Sequence, residues 1–121
     1  MDKRSYKNLT AYQVAKQLVR EVYALLKKFP VEERYAICDQ IRRSAVSITS
    51  NIAEGFGRFS TKEQTHFIEI AYGSLMEVES QLDVSCDIVY ITKEEFEQIE
   101  EIIDREAKLL SGLRAKRIND K

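Results

Sequence analysis

The sequence is poor in the residues that make turns, with one proline and four glycines among 121 residues. A fold made of β-hairpins needs many more such residues, so a hairpin-rich β protein is excluded. No run of 18 apolar residues occurs, and the polar N-terminus lacks the apolar segment of a secretory signal. We therefore expect a cytoplasmic helical protein that has short connections and does not span a membrane.

The composition favours a single folded domain over residues 1–121. Hydrophobic residues make up 44% of the chain and charged residues 32%, which is enough apolar material for a core. Cys38 and Cys86 both lie within helical apolar patterns. We expect them to be reduced core residues, and the alternative is a disulfide between them.

Apolar residues spaced alternately by three and four positions predict amphipathic helices. Four such helices are predicted, at residues 10–29, 32–56, 61–90 and 93–114. Short connections between them force successive helices to run antiparallel. The predicted fold class is therefore all-α, an up-down-up-down antiparallel four-helix bundle.

The helix boundaries rest on residues that stop or start helices. Pro30 ends the first helix, and Gly57 is placed to end the second as a left-handed C-cap residue. Ser60-Thr61-Lys62-Glu63 and Thr92-Lys93-Glu94-Glu95 each match a capping box, which begins a helix by satisfying its first N–H groups. The tail that follows Leu113 is expected to fray.

Candidate catalytic and metal sites are scarce. The one Glu-x-x-His motif runs from Glu63 to His66, the only histidine, and Glu63 is already explained as a capping residue. Both cysteines lie on core tracks, where a thiol is inert. Gly55-Phe56-Gly57 lacks the strand and the Lys-Ser/Thr pair of a phosphate-binding loop. No catalytic residue, metal site or cofactor is predicted.

Two stretches have an unusual composition for helix interiors. Residues 40–55 are dense in Ser, Thr and Asn, which predicts close helix approach or polar contacts across an interface. The alternative is a solvated or salt-bridged face. Gly73 lies in the middle of the third helix, where glycine costs roughly 1 kcal/mol relative to alanine, so a packing reason is expected.

These two stretches also carry a family resemblance. QIRRSAVSITSNIAEGFGR and EQTHFIEIAYGSLMEVESQL resemble the four-helix bundle proteins encoded in 23S rRNA intervening sequences, also labelled the S23 ribosomal protein family. Phe29-Pro30-x-x-Glu33 and Tyr12 with Ala15 also fit, so the resemblance covers about residues 9–113. It implies a cyclic homopentamer and does not imply an enzyme.

The resemblance extends to accessory proteins of diversity-generating retroelements, which share the bundle and the ring. Those relatives are basic and are thought to bind nucleic acid and a reverse transcriptase. This chain has 19 basic and 20 acidic residues, a net charge of −1, and so departs from that pattern.

The charges are unevenly distributed along the chain. Residues 1–31 hold seven basic and two acidic residues, a net of +5, whereas residues 60–91 hold one and six, a net of −5. The first and third helices face opposite sides of such a bundle, so their unlike charges predict a head-to-tail contact that closes a ring. The charged interface candidates are Lys16, Arg20, Lys27, Glu77 and Glu79. The apolar candidates are Val14, Leu18, Val46, Ile68, Tyr72 and Met76.

The sequence therefore favours a non-enzymatic, ring-forming scaffold or adaptor whose first partner is a second copy of itself. The alternative is an RNA- or DNA-binding accessory protein that contacts phosphates through basic residues of the N-terminus and the second helix. Its candidate residues are Lys3, Arg4, Lys7, Arg42, Arg43 and Arg58.

Overall fold

The computed structural model describes residues 5–119 and consists of helices and turns. No strand occurs among these residues, so the predicted all-α class is confirmed. None of the helices in this range is long and apolar enough to cross a membrane. The four α-helices are α1 Thr10–Leu26, α2 Ile37–Phe56, α3 Thr61–Asp87 and α4 Lys93–Asn119.

One apolar core lies between the four helices. α1 packs against α2 and α4, and α3 packs against the same two helices, which places α1 and α3 at opposite corners of the bundle. Each helix contributes apolar residues at steps of three and four, as the sequence predicts. The fully buried large side chains of the core include Leu18, Ile41, Ile48, Leu75, Leu82, Ile103 and Leu110.

The connection between α1 and α2 is longer than predicted. α1 ends at Leu26 rather than at residue 29. The Lys28 and Phe29 N–H groups donate to carbonyls three residues earlier, so the last turn before Pro30 has 3-10 rather than α-helical hydrogen bonds. A short 3-10 turn, Val31–Glu33, follows. Ala36 then has φ −113° and ψ −108°, outside the helical region, so α2 begins at Ile37 rather than at residue 32.

α3 ends at Asp87, three residues before the predicted end, because Val89 adopts a left-handed backbone conformation with φ 69°. The Tyr90 N–H donates to the Ser85 carbonyl at 2.9 Å, which closes the helix end in the usual left-handed way. Glycine normally occupies such a position. A β-branched residue there costs about 1–2 kcal/mol.

The predicted left-handed conformation of Gly57 is wrong. This residue ends α2 with φ −80° and ψ −6°, and its N–H donates to the Ala53 and Glu54 carbonyls, both at 3.1 Å.

Both predicted capping boxes lie at the helix starts to which they were assigned. The Ser60 hydroxyl accepts a hydrogen bond from the Glu63 N–H at 3.1 Å. The Thr92 hydroxyl likewise accepts from the Glu95 N–H at 3.1 Å, and the Glu95 carboxylate accepts from the Thr92 N–H at 2.8 Å. These bonds satisfy N–H groups that the first helical turns leave without partners.

α4 extends beyond the predicted end at residue 114. The sequence predicts a frayed tail after Leu113. This prediction is wrong for residues 114–119, because the helix continues to Asn119. Arg114 Nε donates to Glu69 Oε2 at 2.6 Å, which ties this part of α4 to α3.

Candidate functional site

The polar residues of α2 form a hydrogen-bonded seam with α3. Ser47 Oγ and Ser74 Oγ lie 2.9 Å apart across the two helices. Ser44 Oγ lies 3.2 Å from Glu77 Oε2 and 3.0 Å from a carbonyl of its own helix. Asn51 Nδ2 donates to both the carbonyl and the hydroxyl of Ser47, at 2.8 and 2.9 Å. We call Ser44, Ser47, Asn51, Ser74 and Glu77 the α2–α3 seam.

Gly55 extends this close contact to the end of α2. A Cβ atom at Gly55 would lie 2.9 Å from Phe67 Cβ and 3.3 Å from the Gln64 carbonyl oxygen. Real Cβ atoms almost never come so near a neighbour, so only glycine fits this position without a shift of α3. The small polar composition of residues 40–55 therefore serves the packing of α2 on α3 within one protomer.

Gly73 does not have the packing reason within the protomer that the sequence predicted. It is exposed on α3, and a Cβ atom there would meet nothing within 4 Å. The expectation is therefore wrong for the single chain. The cost of this glycine in helix formation is not offset by any contact that the protomer makes.

The basic residues proposed for nucleic-acid binding do not form one patch. Lys7 and Arg58 lie at the same end of the bundle, where the Tyr6 and Phe56 rings are 6.4 Å apart. Arg43 precedes Phe56 by 13 residues on α2, which is about 20 Å along the helix. Lys3 and Arg4 lie outside the described residues.

Three of these cations also have carboxylate partners. Asp39 lies 3.1 Å from Arg43 and 3.7 Å from Arg42, so one carboxylate is shared by two guanidinium groups. Arg58 contacts Glu54 at 2.8 Å and stacks over the Phe67 ring at 4.8 Å. Arg43 nevertheless keeps 80% of its side chain exposed.

The charged interface candidates of α1 lie on its outer face. Lys16, Arg20 and Lys27 are exposed, and their spacing of four and seven residues aligns them along one stripe. Lys16 Nζ also lies 5.5 Å from the centre of the Tyr12 ring. These three cations are therefore accessible to a neighbouring molecule.

The apolar interface candidates divide into buried and accessible residues. Val14, Leu18 and Ile68 are 4%, 0% and 5% exposed, so the expectation that they contact a neighbour is wrong. Their side chains belong to the protomer core, because the apolar stripes of α1 and α3 are wider than a minimal bundle seam.

The remaining candidates keep some accessible surface. Tyr72 and Met76 pack against the core and are half-buried, whereas Val46 is 39% exposed. Glu77 is exposed although it takes part in the α2–α3 seam, and Glu79 is half-buried.

Glu79 belongs to a group of carboxylates shared by α3 and α4. Burial, a hydrogen bond with Glu79 and the nearby charges of Asp83 and Asp104 raise the pKa of Glu100 above its usual value. In the part of the chain that the structure describes, no group of three or more His, Cys, Asp or Glu side chains is arranged to hold a metal ion.

An open groove between α1 and α2 was not predicted from the sequence. Two adjoining depressions of about 420 and 540 Å³ follow these helices and share Tyr23 and Arg42 as lining residues. Only the three-dimensional packing brings these residues together. We call the depression the α1–α2 groove and define it by Tyr23, Lys27, Arg34, Arg42, Arg43 and Val46.

The sequence candidates for catalysis are dispersed. His66 is exposed on α3, with its ring 5.6 Å from that of Phe67. Cys38 is buried and Cys86 half-buried, and both are free thiols. Burial raises the pKa of the Cys38 thiol above its usual value, which favours the unreactive protonated form.

Glu106 is a buried carboxyl group that sequence reasoning missed. It is 0% exposed, and neither of its carboxyl oxygens has a hydrogen-bond partner. Burial raises its pKa to about 8, with a smaller opposing effect from Arg105. The helical spacing indicates this burial, because Glu106 lies three residues after Ile103 and four before Leu110 on the core face of α4.

The family model described as 23S rRNA-intervening sequence protein matches residues 7–112. The chain belongs to this family. The match includes both stretches on which the resemblance rests, the serine-rich segment of α2 and the glycine-containing segment of α3. That prediction is confirmed.

A solved relative supports the membership. The crystal structure of a protein with unknown function from the S23 ribosomal protein family of Bacteroides thetaiotaomicron VPI-5482 is 26% identical, with a TM-score of 0.79. The similarity covers 87% of this chain and 98% of that one. No curated protein matches the sequence.

Proposed function

We propose that this member of the family is a non-enzymatic cytoplasmic scaffold or adaptor, built as an up-down antiparallel bundle and assembled as a ring of five copies. The observation that carries this proposal is the placement, at opposite corners of one protomer, of the exposed cations Lys16, Arg20 and Lys27 along α1 and of the acidic α3. A molecule with two unlike, complementary faces associates head to tail, and such contacts close into rings.

The up-down order is supported by contacts between helix ends. Lys28, just after α1, forms an ion pair with Glu95 at the start of α4. Ser44 meets Glu77 and Ser47 meets Ser74, so positions that advance along α2 meet positions that recede along α3. Neighbouring helices that pair in this sense run antiparallel.

The charges of the two corners support the head-to-tail contact. On α1 and the residue that follows it, Lys16, Arg20 and Lys27 are exposed along one stripe. α3 holds six acidic residues and one lysine between Thr61 and Asp87. Unlike charges on the two faces orient the encounter and raise the association rate more than they strengthen the final contact.

The non-enzymatic role is supported by the dispersal of reactive groups. A catalytic site needs a nucleophile or acid–base group, an orienting partner and a concave site that brings them together. Here His66 lies on the surface of α3, whereas the Cys38 thiol is buried on α2. Glu106 is enclosed in the core, where it touches no solvent.

Nucleic-acid binding is the second candidate function, and the exposed guanidinium of Arg43 is the observation that favours it. Against it stand the shared carboxylate of Asp39 and the distance between the two basic regions. Light scattering with and without RNA, repeated across salt concentrations, separates the two roles. We expect a ring whose mass RNA does not change. A monomer would contradict the ring, and binding that weakens steeply with salt would favour phosphate contacts.

Reversal of the α1 charges tests the electrostatic part of the proposal. In the triple variant Lys16→Glu, Arg20→Glu, Lys27→Glu, we expect assembly at low salt to be slower and weaker, because the two faces then repel each other. The matched control reverses three exposed lysines of α4, Lys93, Lys108 and Lys116, and should assemble as the unaltered protein does. Equal rates of assembly and equal solution masses for the two triple variants at low salt would contradict the proposal.

A further inference from the structure

The outer face of α3 carries a continuous line of exposed residues. The positions follow steps of three and four, so they align along the helix on the side away from the core. Ile70 and Val84 keep 37% and 49% of their surfaces exposed. We call this line the α3 stripe and define it by Ile70, Gly73, Glu77, Ser80, Val84 and Asp87.

The α3 stripe and the α1–α2 groove carry opposite charges. The groove has four cationic side chains, Lys27, Arg34, Arg42 and Arg43, and its lining includes one carboxylate, Asp39. The charged residues of the stripe are Glu77 and Asp87. The two surfaces are complementary in sign, which steers unlike faces together and disfavours like ones.

Both surfaces also offer exposed apolar side chains, which supply the affinity that solvated ion pairs do not. Tyr23 and Val46 in the groove are 44% and 39% exposed. On the stripe, Ile70 lies one turn before Gly73, and Val84 lies about three turns after it, beyond Glu77 and Ser80. Apolar and charged side chains therefore alternate along the stripe.

The two surfaces match in length. The α2 residues that line the groove run from Cys38 to Ser50, about 18 Å along the helix. The stretch of the stripe from Ile70 to Val84 extends about 21 Å. A helix laid along the groove therefore contacts it over about three turns.

Gly73 explains how a helix can lie so close. Its exposed position has no Cβ atom, and the protomer places nothing within 4 Å of where one would be. Glycine at this position destabilises the helix by roughly 1 kcal/mol relative to alanine, and no contact inside the protomer requires it. A glycine on an otherwise continuous helix surface lets the backbone of another element approach closely.

We propose that α3 of one copy of this chain docks in the α1–α2 groove of the next copy, with Gly73 at the closest approach. This inference rests on the proposed ring and assigns its interface to two named surfaces. The groove and the stripe are different surfaces of the same protomer, so the contact is head to tail.

Two variants, each impaired on one surface, test the assignment. Gly73→Lys places a long cationic side chain on the stripe. Val46→Arg fills the groove with a long cationic side chain, so the two altered surfaces repel each other rather than pair. Each variant alone should be a monomer, because a head-to-tail contact needs both surfaces in every copy. An equal mixture should form a heterodimer and no larger species, because one intact groove then meets one intact stripe.

The matched control is Gly112→Lys on α4. Gly112 is also an exposed helical glycine with nothing within 4 Å of a Cβ atom, so the same substitution should leave the ring intact. Far-UV circular dichroism should show Gly73→Lys and Gly112→Lys to be as helical as the unaltered chain, because lysine favours a helix more than glycine does. Loss of assembly by Gly73→Lys alone is then not a loss of folding.

The outcomes separate this interface from the ring itself. A monomeric unaltered protein overturns the proposed ring and this interface with it. An unaltered ring that Gly73→Lys leaves at full size overturns the interface alone. A mixture of the two impaired variants that re-forms rings, or in which the variants do not associate, also overturns it. We expect native mass spectrometry to detect the heterodimer as the new species of the mixture.

Discussion

The two flanks of α2 differ in how completely the protomer covers them. Toward α3, small side chains interlock and Ser47 bonds directly to Ser74 at 2.9 Å. Toward α1, Val46 and Arg43 line an open depression of about 540 Å³. One flank is covered by a neighbouring helix, whereas the other is exposed.

The difference shows that two sets of polar residues on one helix have different roles. Ser44 and Ser47 are hydrogen-bonded within the protomer, so their role is to hold α2 against α3. Arg42 and Arg43 share Asp39 and keep positive charge directed outward. We expect changes on the closed flank to alter the stability of each protomer, and changes on the open flank to alter assembly.

The largest predicted effect is on the stability of the protomer and comes from a residue outside both flanks of α2. It should leave assembly unchanged. Glu106→Leu removes a buried, unpartnered carboxyl group whose pKa is raised from 4.5 to about 8. At pH 7 the unfolded chain releases this proton and the folded chain keeps it. The substitution should therefore raise the free energy of unfolding by about 3 kcal/mol, as measured by urea denaturation.

The pH dependence checks the sign of this effect. Because the folded chain binds the proton more tightly, the contribution of Glu106 to stability falls as pH rises from about 4.5 to about 8 and then levels off. Glu106→Leu should remove this fall and leave the size of the assembly unchanged. An identical fall in the variant would contradict the buried, unpaired state of Glu106.

The next largest effect lies on the closed flank. Gly55→Ala places a Cβ atom 2.9 Å from Phe67 Cβ, so α3 must shift. We expect a loss of about 1–3 kcal/mol in unfolding free energy, although alanine is the better helix former. Gly112→Ala, where the space is open, should instead be stabilising by up to about 1 kcal/mol. If both substitutions stabilise the protein, the close approach at Gly55 is contradicted.

The smallest effect tests the hydrogen bonds of the seam. Ser47→Ala removes the partner of Ser74 and one of two acceptors for Asn51, so we expect a loss of about 1–2 kcal/mol. The double variant Ser47→Ala, Ser74→Ala should lose less unfolding free energy than the sum of the losses in the two single variants, because it also removes the hydroxyl that Ser47→Ala leaves without a partner. Strict additivity in this double-mutant cycle would show that the two hydroxyls do not interact.

Much of the fold follows from the sequence because its signals are local. Each of these signals lies within one or two helical turns of the feature that it predicts. They are the apolar steps of three and four, Pro30, and the capping boxes at Ser60 and Thr92. The left-handed Val89 and the break at Ala36 were missed, since neither residue is of the type that normally marks a helix end. α4 continues past the predicted end at residue 114 to Asn119, and the intervening residues 115–118 include no proline or glycine to end it.

The candidate surfaces were only partly predictable for the same reason. The exposed cations of α1 follow from helical spacing alone. The groove does not, because Tyr23 and Arg42 come from different helices and meet only when α1 and α2 pack. Gly73 shows the limit most clearly: the sequence indicates that it needs a packing reason, and the protomer does not supply one.

The mass of the assembly in solution tests the central claim most directly. Sedimentation at low salt, with the unaltered protein and Gly73→Lys measured side by side, gives the number of copies from the 14.1 kDa chain. We predict five copies for the unaltered protein and one for the variant. A single 14.1 kDa species for the unaltered protein, or the same multiple for both, would contradict the claim that the open flank of α2 receives α3 of the next copy.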